Sequence, residues 1–395
     1  MNLLLGADSL TGRRSGIGRV TFEVGCAMRG RPGISELRLV VGGRVTGTGM
    51  LDEPADPAAG SATPDTQGRR RTLRSFAARV PALRTLQQRA VCMALDRAAR
   101  GMARNGAPVL YYEPNMVAKP FSGPTVVAVN DMSWHGRTGY HPDDRVRWIE
   151  RNLPATLSQA SRFVAISAFT KAELVRLLGV QPGRVDVVPL APSRLFQPAD
   201  EAEAAATLRR YGLSDRGFVL TVSTLEPRKN LDGLLAAWRA LPEPVQARAP
   251  LVVAGGAGWG TVLADPAADR LRQSGGLRLL GHVPDADLAL LCARCAAFAY
   301  VSLYEGFGLP VLEAMLAGAP VVASATTGTG ETAGRGALLV DPLDHGAIAA
   351  ALHSVVEDSA IAAGLRAAGQ AHAGTFSWLA TADLLVASWQ RALLG

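Results

Sequence analysis

Glu305 and Glu313 stand eight positions apart in the run Tyr304-Glu305-Gly306-Phe307-Gly308-Leu309-Pro310-Val311-Leu312-Glu313-Ala314-Met315. The first carboxylate sits in a glycine-rich loop. The second falls a turn or more into an apolar helix, and Val321-Val322-Ala323 then begins a strand. Glycines let a ligand come close to the backbone, and amide N–H groups at a helix N-terminus favour an anion. A carboxylate at each end of such a loop can accept hydrogen bonds from sugar hydroxyls, leaving a diphosphate to the amides between. The same residues also make a plain capped helix, with Glu305 near its start and Glu313 on a solvated face.

A second group lies upstream. Thr221-Val222-Ser223-Thr224-Leu225 reads as a buried strand running into Glu226-Pro227-Arg228-Lys229-Asn230, followed by a helix from Leu231 to Ala240. Adjacent Arg and Lys at a strand end can neutralise a diphosphate, one through a planar fork and the other as a point charge. Such strand ends are where open α/β sheets bind ligands. Together these segments resemble family four of the retaining, nucleotide-sugar-dependent glycosyltransferases with the GT-B fold. Leu251-Val252-Val253-Ala254-Gly255, Gly281-His282-Val283-Pro284-Asp285 and Leu338-Leu339-Val340-Asp341-Pro342 extend the likeness over residues 215 to 345, in the family's order.

The resemblance implies an α/β protein of two Rossmann-like parallel-sheet domains facing across a cleft. Residues 1–195 would bind the acceptor and 204–375 the nucleotide sugar, with a C-terminal helix, 376–395, packing back on the first domain. It implies that Arg228 and Lys229 bind the diphosphate, that Glu305 contacts sugar hydroxyls and that Glu313 binds the ribose. Amides around Phe307, Gly308 and Leu309 would support sugar or phosphate, with Ser223, Thr224 and Val283 completing the donor site. Arg228, Lys229 and Glu305 are then the catalytic set, acting mainly by stabilising the departing diphosphate. The acceptor hydroxyl would lose its proton to that phosphate on the same face. Ser15-Gly16-Ile17-Gly18-Arg19 corresponds to the family's glycine loop, placing Gly16 and Gly18 across the cleft. As a bare pattern it is also an ordinary strand-to-helix turn. The wording of Ser223 to Asn230 resembles bacterial mannosyltransferases that build surface polysaccharides, which puts GDP-mannose first as donor, with UDP-glucose or another nucleotide-hexose as the alternative.

Two features depart from the family pattern or imitate another. A histidine is usual after the strand that here ends at Val129, but this chain reads Asn130-Asp131-Met132-Ser133-Trp134-His135. Asn130 is expected to contact acceptor or sugar by donating and accepting hydrogen bonds, but it cannot act as an acid or base near neutral pH. Asp131 or His135 is expected to supply part of that role toward acceptor or sugar. Asp285-Ala286-Asp287 superficially matches a metal-binding D-x-D motif, but it follows Pro284 and opens an apolar helix, so N-capping is expected. No metal and no cofactor are expected.

The elements that must position these residues alternate. Strands are read at Leu3 to Ala7, Pro108 to Tyr112, Thr125 to Val129, Arg162 to Ile166 and Val185 to Val188. Helices are read at Asp143 to Ala160 and Ala168 to Leu178, the latter capped by Ser167. This alternation implies a parallel sheet with helices on both faces. A second alternating pattern runs from Phe218 to about His372, after a linker from Leu190 to Glu203, and Trp378 to Leu394 is a final helix. The 395 residues suit two domains, and 48% apolar with 19% charged residues is ordinary for a globular protein. Met1 to Gly6 reads as a strand and not a signal peptide. Four cysteines make no disulfide framework, and the Cys292–Cys295 pair lies in an apolar helical run as inert thiols. A cytoplasmic protein is expected.

The net charge of +7 is uneven. From Arg69 to Arg104 the chain is Arg-rich, including Arg69, Arg70, Arg71 and Arg74, with Asp96 the one acid, after a loop at 52–68. Interleaved Leu73, Phe76, Leu83, Leu86, Val91 and Leu95 give a basic amphipathic helical region. It suits an anionic membrane surface, the inner face of the cytoplasmic membrane, and hence a lipid-linked acceptor. A solvated helical insertion fits the pattern equally. Scarce aromatics and no recognised module argue against nucleic acid. Two other classes stay open: a dinucleotide-dependent oxidoreductase, because Gly255 to Gly260 follows a strand although it misses G-x-G-x-x-G, and an inactive basic membrane-binding scaffold.

Overall fold

The computed structural model describes residues 1–12, 16–52, 81–136, 139–256, 258 and 266–395. The expected loop at 52–68 and Arg69, Arg70, Arg71, Arg74 and Arg79 of the basic region fall outside these, apart from Asp52.

Short, continuously apolar runs such as Leu3-Leu4-Leu5 and Val126 to Val129 suit strands covered on both faces, and they form a largely parallel sheet. Its strands are β1 (Asn2–Gly6), β2 (Glu36–Val41), β3 (Arg44–Thr46), β4 (Val109–Glu113), β5 (Thr125–Val129), β6 (Arg162–Ala165) and β7 (Val185–Val187). The order is β3-β2-β1-β4-β5-β6-β7, with Leu3 in register with Leu37 on one side and Leu110 on the other. Only β3 runs antiparallel, in a hairpin with β2 that the sequence reading did not anticipate.

The second sheet is parallel throughout: β8 (Val219–Val222), β9 (Leu251–Ala254), β10 (Leu277–Gly281), β11 (Ala297–Tyr300), β12 (Val321–Ser324) and β13 (Ala337–Val340). The order β10-β9-β8-β11-β12-β13 reverses direction between β8 and β11. The segments leaving those two strands therefore emerge side by side, and such a reversal opens a crevice for ligands. β8 ends at Val222, so Ser223, Thr224 and Leu225 belong to the loop beyond it and not to the expected strand.

The helix Trp378–Leu394 crosses back to the first domain. Its Trp389 ring lies 5.1 Å from that of Tyr112, Thr381 donates to the Pro189 carbonyl at 2.8 Å, and Ser388 donates to Asp186 at 2.7 Å. Among the described residues no single helix is long and apolar enough to cross a membrane. One bent helix pair, His345–Glu357 with Ser359–Leu394 at 99°, passes on length and composition. Its Ile348, Leu352, Leu385 and Trp389 are buried in the cores.

The helix Pro81–Met102 turns Leu95 and Met102 into a cluster with Leu4, Val40, Tyr111 and Phe121, and Val91 packs against it. Val91 and Leu95 are therefore core contacts and not part of a free apolar face, whereas Leu86 and Met93 stay exposed.

Candidate active site

β8 and β11 neighbour each other at the reversal, so Arg228 and Lys229 beyond the first meet Glu305 beyond the second. The Lys229 ammonium donates to Glu305 Oε1 at 2.6 Å, and Arg228 donates to Oε2 at 3.0 Å. Tyr300, the last residue of β11, donates to the same Oε1 at 3.0 Å. The Nε–H of Arg228 donates to Glu226 Oε2 at 2.9 Å. Burial alone would raise the Glu305 carboxyl, but Lys229 and then Arg228 outweigh it and hold it at about 2. Burial likewise pulls on the Lys229 ammonium and Glu305 outweighs it, leaving it raised. Two largely covered cations and one buried carboxylate thus meet at the strand-order reversal, with Glu226 beside them.

The loop is fixed from below. Thr327 adopts φ +61°, and its hydroxyl accepts from the Glu305 N–H at 3.3 Å. Gly328 donates to the Glu305 carbonyl at 2.9 Å, and a Cβ on Gly328 would stand 2.1 Å from the Gly306 carbonyl oxygen. Gly308, at φ +98°, precedes the helix Leu309–Ala317. Phe307 is buried, with its ring edge-on to Phe376. What residues 307–309 offer the crevice is therefore backbone at a helix N-terminus, a natural place for an anion.

Glu313 is 4% exposed and not on a solvated face. Arg19, in the first turn of the N-domain helix Ile17–Met28, bridges it at 2.7 Å and Asp285 at 2.6 Å. Burial pushes the Glu313 carboxyl up, to about 7, against the pull of Arg19. Gly16, at φ +49°, caps that helix, and Gly18 is buried within its first turn. The expected loop thus ends at Gly16, and its most consequential side chain is Arg19, which the sequence reading passed over. Val283 is buried in the core, so only its backbone can face a ligand. Ser223 Oγ bonds the Thr224 carbonyl, and Thr224 Oγ1 bonds Glu226.

Asp285 and Asp287 do not cap their helix; Pro284 occupies that position. Asp285 pairs with Arg19, while Asp287 pairs with Arg210 at 2.7 Å and accepts from Tyr211 at 2.9 Å. Bulky cations close to both carboxylates recruit them as first-turn ion pairs. Among the described residues, no three His, Cys, Asp or Glu side chains gather as metal ligands. Cys292 and Cys295 are buried with their thiols pushed up by burial, Cys295 to about 12. The glycine at 255 answers to packing, since a Cβ there would lie 1.9 Å from the Ser223 carbonyl oxygen.

On the facing domain, Asn130 donates to the Pro114 carbonyl at 3.1 Å. Asp131 Oδ1 accepts from both the N–H and the hydroxyl of Ser133, at 3.0 and 2.6 Å. His135 stands edge-on to Trp134 at 5.3 Å, and the histidine joined to this group is His141, 2.7 Å from Ser133 Oγ. The missed signal was a histidine directly before Pro142, which starts the helix Asp143–Gln159 and so turns His141 inward. The Tyr304 hydroxyl accepts from Met132 N–H at 3.2 Å and donates to Glu173 at 3.4 Å, joining the two domains beneath the site.

Two Rossmann-like domains with a cation–carboxylate cluster at the second domain's crevice define a GT-B enzyme. Residues 207–372 match the family of glycosyl transferases group 1, and residues 64–191 match glycosyltransferase family 4. The chain is 33% identical over 383 residues to the O-antigen chain mannosyltransferase B of Escherichia coli, covering 96% of each. Among solved structures, Anabaena HepE in complex with UDP-glucose superposes with a TM-score of 0.68 at 18% identity, over 99% of this chain and 100% of that one. WaaG, a glycosyltransferase involved in lipopolysaccharide biosynthesis, gives 0.63 at 13% identity over 98% of each. This chain belongs to glycosyltransferase family 4. It is a hexosyltransferase, which sets aside the oxidoreductase and scaffold readings.

Proposed function

We propose that this enzyme transfers mannose from GDP-mannose, with retention and without a metal, to a lipid-linked saccharide in bacterial surface polysaccharide synthesis. The observation that carries the reading is the pairing of Arg228 and Lys229 with Glu305 at the strand-order reversal. Arg228 and Lys229 would bind the diphosphate, and Glu305 would hold both cations in place while meeting sugar hydroxyls with its remaining lone pairs. The N-terminus of the helix Leu309–Ala317 adds amide donors, and Glu313 would exchange Arg19 for ribose hydroxyls. Stabilising the departing diphosphate is then the main source of rate, supplied by fixed cations in a water-poor crevice. That phosphate would take the acceptor's proton on the same face. The mannosyl donor is supported by the 33% identity with a mannosyltransferase over nearly the whole chain. Association with the inner face of the cytoplasmic membrane is supported by the Arg-rich sequence from Arg69 to Arg104.

UDP-glucose is the second reading, favoured by the likeness to a structure bound to that donor. A thermal-shift panel of GDP- and UDP-sugars separates the two, because a ligand that binds the native state alone raises its melting temperature. GDP-mannose should give the largest shift and should be turned over in the presence of EDTA. A larger shift with UDP-glucose would replace the donor, activity restored only by Mg²⁺ or Mn²⁺ would end the metal-free claim, and no response to any nucleotide sugar would sink the reading.

A further inference from the structure

Glu331 belongs to the second domain, in the short helix Thr327–Ala333, but its carboxylate bonds the first domain. Oε1 accepts from the Ala168 N–H at 2.8 Å and Oε2 from the Phe169 N–H at 2.9 Å. We propose that Glu331 is a positioning residue for the transfer: its hold on the first domain sets the Glu305 backbone, and through Glu305 the cation–carboxylate cluster. The inference rests on the transferase reading above, and it deepens that reading by naming what couples closure of the cleft to the site.

The first turn of an α-helix leaves N–H groups with no partner inside the helix. In the helix Ala168–Leu178, Ser167 Oγ accepts from the Thr170 N–H, and Glu331 takes the two N–H groups that come before it. The cap of this helix is therefore shared between the domains. Two carboxylate oxygens on two adjacent N–H groups fix direction as well as distance, and the positive end of the helix favours the charge. Glu331 and Ala168 are both exposed, so on opening the donors and the acceptor pass to water at small cost. The contact can form and break with the cleft.

The same helical turn holds Glu305. Thr327 Oγ1 accepts from the Glu305 N–H at 3.3 Å, and the Gly328 N–H donates to the Glu305 carbonyl at 2.9 Å. Gly328 and Glu331 are three residues apart and share a face of the helix. Close packing leaves the helix little freedom to bend: Thr332 and Ala333 are buried, and Gly328 lies directly against the Gly306 carbonyl. A displacement at Glu331 thus reaches Glu305, which holds Lys229 at 2.6 Å and Arg228 at 3.0 Å.

The test is hydrogen exchange on the full chain, comparing the parent with Glu331→Gln and Ala168→Pro. Glutamine keeps the side-chain length but turns an NH2 group toward one of the two N–H groups. Proline is well tolerated at the first helical position, and there it deletes one donor from the opposite domain. Ser167 already has the extended backbone that a following proline requires, with φ −152° and ψ 162°. In both variants the peptide containing Glu305 and Gly306, which neither substitution touches, should exchange about tenfold faster, while β8 and β11 exchange as in the parent. The double variant should show no more than either single one, because both break the same contact. Release of GDP from GDP-mannose, with methyl α-mannopyranoside as acceptor, should lose about tenfold in kcat while calorimetric GDP affinity stays unchanged.

Faster exchange confined to the helix Ala168–Leu178 would make Glu331 a local cap and overturn the proposal. A fall in GDP affinity as large as the fall in kcat would also overturn it, by placing the effect in the folding of the donor domain. Either result leaves the transferase reading standing, whereas failure of every nucleotide sugar in the thermal panel sinks that reading whatever the exchange shows.

Discussion

The carbonyl oxygen of Asn130 lies 1.8 Å from where a Cβ on Gly306 would stand. The two residues belong to facing domains, and the absence of a side chain at 306 lets the backbones meet. The Gly306 carbonyl in turn accepts from Ser167 at 2.5 Å and Thr170 at 3.1 Å, both on the N-terminal domain. Closure of the cleft is thus built on backbone contact immediately beside Glu305.

Gly306→Ala should therefore hold the domains apart while leaving both cores intact. A displacement on the order of 1 Å at a reacting centre is enough for about a 100-fold loss. The expected result is a fall of that size in kcat/KM, with a larger radius of gyration by small-angle scattering and a nearly unchanged melting temperature. Parental turnover in this variant would mean that closure does not depend on the contact.

Arg228→Ala and Lys229→Ala should each remove roughly 2–4 kcal/mol of transition-state stabilisation, the scale of one electrostatic donor in a water-poor site. Glu305→Gln is expected to destabilise the fold by about 3 kcal/mol, because it removes the counter-charge of the largely covered Lys229, while Arg228 keeps Glu226. Steady-state kinetics and chemical denaturation check the two effects. Parental rates in either cation variant would exclude that residue from the diphosphate site.

Glu113, at the end of β4, gives a pH signature. Burial pushes its carboxyl up to about 7, against Lys119 and the hydrogen bond from Tyr111. The folded protein then keeps a proton that the unfolded chain releases near 4.5, so stability from this group falls as pH rises from about 4.5 to 7 and levels off above that. The gap corresponds to about 3 kcal/mol. Glu113→Gln should stabilise the protein at pH 8 relative to the parent by roughly 1–3 kcal/mol, and by much less at pH 5. Equal gains at both pH values in urea denaturation would show that the carboxyl does not titrate in this window.

Replacing Arg69, Arg70, Arg71 and Arg74 with Gln should weaken binding to anionic vesicles strongly, since each such charge contributes on the order of 1 kcal/mol near the surface. Sedimentation with phosphatidylglycerol vesicles at low salt measures this, alongside transfer to a soluble acceptor analogue. Equal vesicle binding by parent and variant would reduce the region to a solvated insertion. Loss of the soluble reaction would place the arginines in the acceptor cleft or the fold.

The sequence by itself determined the two-sheet architecture, and it singled out the charged residues that the structure brings together as a cation–carboxylate cluster. Parallel strands buried on both faces must be continuous apolar runs, and Leu3-Leu4-Leu5, Val126 to Val129 and Val321-Val322-Ala323 carry that signal undiluted. Arg228, Lys229, Glu305 and Glu313 were legible because each sits in a local motif whose glycines, prolines and charges lie within a few positions. What tertiary structure alone decided are the long-range pairings. Arg19 and Glu313 are 294 residues apart and meet only because the domains close. Asp285 and Asp287 looked like caps until Arg19 and Arg210 came within reach of them. His141 displaced His135 as the partner of the Asp131 group because a proline-started helix turns one ring inward and leaves the other against Trp134. Local chemistry follows from neighbours in the chain, whereas the partner of a charge follows from which surfaces the fold presses together.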